Sequence, residues 1–93
     1  MRVLGNLMHH VRLATRMAMV TRVDPVALYK SGDLRQDEWA DMVQRCRDCG
    51  WAGECPDWLD GHGDAGDAPE TCPNRGRFRD LRRRAGERQT EDA

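Results

Sequence analysis

The sequence predicts an all-α fold: a small bundle of four to five short helices stapled by a four-cysteine metal site. Three observations predict it. Apolar residues recur at three- and four-residue steps, and no stretch alternates as a strand would. Cap and turn residues at Asp24-Pro25, Gly32, Cys55-Pro56, Gly61 and Cys72-Pro73 cut the chain into short segments. Four cysteines gather between residues 46 and 72 of a 93-residue chain, a length at which a hydrophobic core alone is a thin source of stability.

The first helix is read from Leu4, Leu7, Met8, Val11, Ala14 and Ala18 as its apolar stripe, with Arg2, His9, Arg12 and Arg16 on the opposite face. Leu13 and Met19 interrupt that polar face and leave room for a partner contact. His9 and His10 are expected on the outer and flanking parts of this helix, as surface imidazoles. Asp24 then caps a short second helix with Pro25 in its first turn and Gly32 at its end. A third helix, from Leu34 or Gln36 to Arg47, puts Trp39, Met42, Val43 and Cys46 on one stripe and turns Asp37, Glu38, Asp41 and Gln44 outward. A fourth starts at Cys55-Pro56 and ends at Gly61, with Trp58 and Leu59 facing in. Residues 61–70, "GHGDAGDAPE", read as a connector without a core-forming residue, in which His62 is an exposed loop residue. The last helix is expected from Cys72-Pro73, presenting Phe78, Leu81 and Ala85 on one side. Residues 1–85 are thus a single helical metal-binding domain, and 86–93 a polar C-terminal tail.

The cysteines are spaced Cys46-x2-Cys49-x5-Cys55-x16-Cys72. A turn brings two thiols three apart to the same side, the five-residue loop adds Cys55, and the connector lets Cys72 close the site from another segment. Four thiolates form a complete ligand set for tetrahedral zinc or for a [4Fe–4S] cluster. Two features favour the cluster. Cys55 and Cys72 both precede proline, which points to helix starts, where free N–H groups stabilise thiolate. Trp51 and Trp58 together with the stripe carrying Cys46 would wall the site from solvent. Zinc ribbons, by contrast, usually pair two CxxC knuckles on β-turns, and this chain has one knuckle and no strand. The predicted function is therefore a small iron–sulfur protein with a redox or iron-sensing role, or an electron-transfer one. The alternative is a zinc-stapled module for binding protein or nucleic acid, and a third reading is a metal-free thiol switch.

Two resemblances attach to these residues. Cys46, Cys49 and Cys55 have a spacing similar to that of WhiB-like iron–sulfur regulators and of the cluster loop in endonuclease-III-type DNA glycosylases, although the remaining cysteine there lies upstream. More of the chain resembles a family of short bacterial proteins without an assigned activity. That likeness is carried by Leu7-Met8, residues 46–59, Ala68-Pro69, Cys72-Pro73-Asn74, Phe78 and Leu81. It implies a standalone four-cysteine domain and no particular substrate.

Charge narrows the partners. The net charge is −1, which does not favour a nucleic-acid binder. The basic helix Arg75–Arg88 could meet phosphate, but it is poor in base-reading Asn and Gln, and the acids Glu54, Asp57, Asp60, Asp64, Asp67 and Glu70 are available to neutralise it. A protein partner is expected instead. No apolar run approaches the ~18–20 residues that cross a bilayer, and the Arg-interrupted N-terminal stretch reads as a packed helix rather than a secretory or transit signal. A cytoplasmic location is expected, with cysteines reduced or metal-bound. The single serine, Ser31, sits in no nucleophile motif and no glycine-rich phosphate loop is present, so the chain is not expected to be an enzyme.

Overall fold

The computed structural model describes residues 6–92, with side chains for residues 6–86. Five helices follow one another: α1 (Leu7–Val20), α2 (Pro25–Ser31), α3 (Gln36–Arg47), α4 (Cys55–Gly61) and α5 (Arg75–Asp92). No strand occurs among the described residues. Arg2 and Leu4, assigned above to the first helix, lie outside them, as does the side chain of Arg88.

Local chemistry sets the helix boundaries. Asn6 caps α1, its side chain accepting from the His9 N–H at 3.0 Å. The helix ends in a Schellman turn, with the Val23 N–H on the Ala18 carbonyl and the Arg22 N–H on that of Met19. Such a turn wants a left-handed residue, normally glycine; here it is Arg22, at φ 65°. In α2, Asp24 accepts from the N–H groups of Val26 and Ala27, and Gly32 takes the left-handed closing position at φ 85°. Glu38 reaches back to the Arg35 N–H at the start of α3.

The core is built by Leu13, Met17 and Ala18 of α1, Leu28, Leu34, Met42, Cys55, Leu59, Phe78 and Leu81, with Trp39, Trp51 and Trp58 half-buried against it. α1 packs on α3 and α4. Three expectations need correcting. The buried face of α1 is His10, Leu13, Ala14, Met17, Ala18 and Val20, whereas Leu7 and Met8 are more than half exposed. The stripe of His10, Leu13, Ala14, Met17 and Ala18 keeps the helical period and leaves His9, Arg12 and Arg16 exposed; it takes in His10 where the expected stripe had Leu7 and Met8. The connector does supply a core residue, Ala68. The last helix begins at Arg75, not at Cys72-Pro73: the Phe78 N–H bonds the Asn74 carbonyl at 2.9 Å, leaving Cys72 in the preceding turn. Its backbone then runs through Gly86 to Asp92, the stretch read above as a tail.

The charge blocks neutralise one another across the fold. Asp67 takes both Arg75 (3.2 Å) and Arg79 (2.6 Å), Asp41 takes Arg77 (2.8 Å), and Asp60 takes Arg16 (2.8 Å). Arg82 donates to the Gly66 carbonyl, and Arg83 pairs with Asp80. Arg84 ties α5 to α3 by donating to the Asp33 carbonyl at 2.8 Å and pairing with Glu38 and Asp80.

Candidate metal centre

Cys46 lies in the last turn of α3, and the chain leaves that helix in short turns. The Cys49 N–H bonds the Cys46 carbonyl (3.2 Å), that of Ala52 the Cys49 carbonyl (3.3 Å), and that of Glu54 the Trp51 carbonyl (3.0 Å). Cys55 is the first residue of α4. Cys72 sits in a turn of its own, its N–H on the Pro69 carbonyl and its carbonyl accepting from Arg75.

These segments bring all four thiols to one pocket, where Cys46, Cys49, Cys55 and Cys72 alternate with Leu13, Ala14, Met17, Trp51, Pro73 and Phe78. All four cysteines are free. Ala52 and the buried, polar Asn74 complete the wall. Among the described residues, no three His, Cys, Asp or Glu side chains stand close enough together to hold one metal ion.

The surroundings act on the thiols in two opposed ways. Burial, followed by repulsion from Cys55, Cys49 and Cys72, pushes the Cys46 thiol up to about 12. Burial, then Cys72 and Cys49, pushes Cys55 up to about 11, with the Arg16 guanidinium pulling the other way. Cys72 is also raised by burial, and the Asn74 backbone N–H on its sulfur works against the rise. Cys46, Cys55 and Cys72 are thus held towards the protonated form, and a cation among them would reverse the balance and draw off their protons.

Cys55 occupies the helix start that the sequence assigned to it. Cys72 lies three residues before its helix, so its N–H support comes from the Asn74 turn rather than from a helix end. Asn74 itself is buried at 2% exposure. Its amide donates to the Met42 carbonyl of α3 at 2.8 Å, fixing the start of α5, while its Oδ1 has no partner. Trp51 lines the pocket as expected, and Trp58 meets it edge-on at 6.4 Å between ring centroids. His62 stays outside: it is exposed, stacks on Trp58 at 4.3 Å, and its Nδ1 bonds the Trp58 carbonyl.

His10 is the residue that sequence reasoning misplaced. It is 5% exposed, on the core face of α1, with its Nδ1 3.4 Å from the Cys46 Sγ. Burial, then His9 and Arg47, lowers its pKa, against a hydrogen bond to the Cys46 backbone that works the other way. The signal was present in the spacing: His10, Leu13, Ala14, Met17, Ala18 and Thr21 form a regular helical stripe once histidine is admitted to it.

Fold and pocket together define a class: a small all-α domain whose four cysteines line one partly buried pocket. Within that class, the chain belongs to a family of unknown function, DUF6455, whose model matches residues 1–84. No curated protein and no solved structure matches it. The match does not extend to the WhiB-like regulators, whose likeness rests on the three-cysteine spacing alone. No helix among the described residues is long and apolar enough to cross a membrane.

Proposed function

We propose that this protein binds one [4Fe–4S] cluster through Cys46, Cys49, Cys55 and Cys72 and uses it in redox or iron sensing, or to deliver electrons to a protein partner in the cytoplasm. The observation that carries this reading is the convergence of four free thiols, from the end of α3, the start of α4 and the turn before α5, on one apolar pocket. A cluster in such a site supplies one-electron chemistry and sensitivity to oxidants. The chain's part is to provide four sulfurs, keep water away with Leu13, Met17, Trp51 and Phe78, and offset charge with Arg16 and the Asn74 N–H.

Two considerations support a cluster over zinc. Cys55 opens α4, where free N–H groups favour thiolate and can bond a cluster's sulfides. Leu13, Met17, Trp51 and Phe78 line the thiol pocket and would shield an oxygen-sensitive cluster from solvent. A metal-free thiol switch finds no support, because redox-active cysteines carry depressed pKa values, whereas Cys46, Cys55 and Cys72 are raised. Sensing is favoured over electron carriage because the one candidate docking patch, the acidic stretch 54–71, has two of its six acids, Asp60 and Asp67, engaged with Arg16, Arg75 and Arg79. The same internal pairing of α5 favours a protein partner over nucleic acid.

Replacing Cys72 by Ser tests the four-ligand assignment. The variant is expected to lose bound metal and much of its helical circular dichroism. Metal content and helicity equal to those of the wild type would remove Cys72 from the site.

A further inference from the structure

A buried histidine requires partners for its ring nitrogens; His10 Nδ1 stands 3.4 Å from the Cys46 sulfur across the α1–α3 contact, and the ring also bonds the Cys46 backbone. His10 does not itself line the cysteine pocket, whereas Leu13, Ala14 and Met17, the next residues along its stripe, do. The ring therefore touches the Cys46 sulfur without forming part of the pocket wall. This is the position of a supporting group rather than of a fifth ligand. Helix geometry fixes it: His10 precedes Leu13 and Ala14 by one turn on the face that packs against α3.

We propose that His10 is a positioning residue of the centre: its Nδ1–H donates a hydrogen bond to the metal-bound Cys46 thiolate, orienting that ligand and raising the reduction potential of the cluster. The inference rests on the iron–sulfur reading above. A thiol and a neutral imidazole can bond in either direction, the S–H donating to Nδ1 or the Nδ1–H donating to sulfur. Once Cys46 has surrendered its proton to bind iron, only the second arrangement remains, so loading the centre selects the Nδ1–H tautomer. A donor aimed at a ligating sulfur withdraws electron density from it, which favours the more electron-rich, reduced cluster. It also ties the end of α3 to α1, so the first helix helps to hold the site although it contributes no ligand.

The test compares wild-type protein, purified without oxygen, with His10→Phe, which fills the space without a donor, and His10→Asn, whose amide N–H takes the place of Nδ1–H. Iron and sulfide analysis of the wild type comes first: a protein without a cluster refutes the iron–sulfur reading and this inference with it. With a cluster present, His10→Phe is expected to keep its helical signal and iron content. Its midpoint potential should fall, and it should lose iron to a chelator about 10–100-fold faster, the usual cost of removing a supporting partner from a metal ligand. His10→Asn should restore both towards wild type. A His10→Phe protein with wild-type potential and wild-type iron loss overturns the inference and leaves the iron–sulfur reading standing. Should both variants fail to fold, imidazole 15N spectra of the loaded wild type decide: a protonated Nδ1 at His10 supports the bond, and a protonated Nε2 with bare Nδ1 overturns it.

Discussion

Alkylation of the metal-free, reduced protein examines the pocket thiol by thiol. Thiolate is the reacting species, and Cys46 at about 12 and Cys55 at about 11 stand above an ordinary value of 9.0. At pH 8 their thiolate fractions fall by about 1000-fold and 100-fold, while the higher basicity of each returns part of the loss at a Brønsted slope of ~0.45, leaving net slowing of about 50-fold and 10-fold. Cys49 also lines a shallow surface groove with Arg45, Asp48, Gly50, Thr71 and Pro73, and should react first. The assay is iodoacetamide labelling under anaerobic conditions, followed by peptide mass spectrometry, on protein whose helices are intact by circular dichroism. Cys46 should be the slowest of the pair, with Cys55 between it and a free thiol. The same shifts fix the response to alkali. Both thiols have folded-state pKa values above the unfolded 9.0, so their contribution to stability is whole below pH 9 and is lost as pH rises through about 11 to about 12. Labelling of Cys46 and Cys55 at the rate of a free thiol would refute the reasoning, because it would mean that neither is desolvated nor faces the other sulfurs.

Three substitutions probe the frame around the site. Phe78, 1% exposed, joins the core to the pocket wall, and Phe78→Ala should cost about 3–5 kcal/mol in chemical denaturation; a loss under ~1 kcal/mol would contradict its placement. Arg84→Ala removes the donor to the Asp33 carbonyl and the pairs with Glu38 and Asp80. A loss of about 1 kcal/mol, or ~4–8 °C in Tm, is expected for these partly exposed contacts, and an unchanged Tm would show α5 held by its apolar face alone. Arg22→Gly relieves a left-handed backbone and should raise stability by about 1 kcal/mol, since the Asp64 carboxylate 3.9 Å away is fully exposed and little is lost with it; destabilisation would argue against the Schellman turn.

The parts legible in the sequence were those encoded locally. Asp24-Pro25 and Gly32 bracket α2, and the stripe of Trp39, Met42, Val43 and Cys46 delivers a thiol to the end of α3, because caps and periodicity act within a few residues. The convergence of Cys72 with the other three also follows from chemistry, four thiols in a small chain having few other uses. What stayed hidden depends on distant neighbours. The buried stripe of α1 keeps a helical period, but it includes His10, which its polarity kept off the expected stripe and whose partner Cys46 lies 36 residues away. The start of α5 was misplaced because both Cys-Pro pairs look alike in sequence. Only the first opens a helix directly, while the second is held off by Asn74, whose amide is committed to the Met42 carbonyl 32 residues away. The arginines of α5 were ambiguous for the same reason, their partners Asp41, Glu38 and Asp33 lying far back in the chain.

The central claim is that the four cysteines hold a [4Fe–4S] cluster, and anaerobic purification followed by an absorption spectrum with iron, sulfide and zinc analysis tests it most directly. A brown protein with a broad band near ~400 nm and about four irons and four sulfides per chain is expected. A colourless protein carrying one zinc per chain would contradict it.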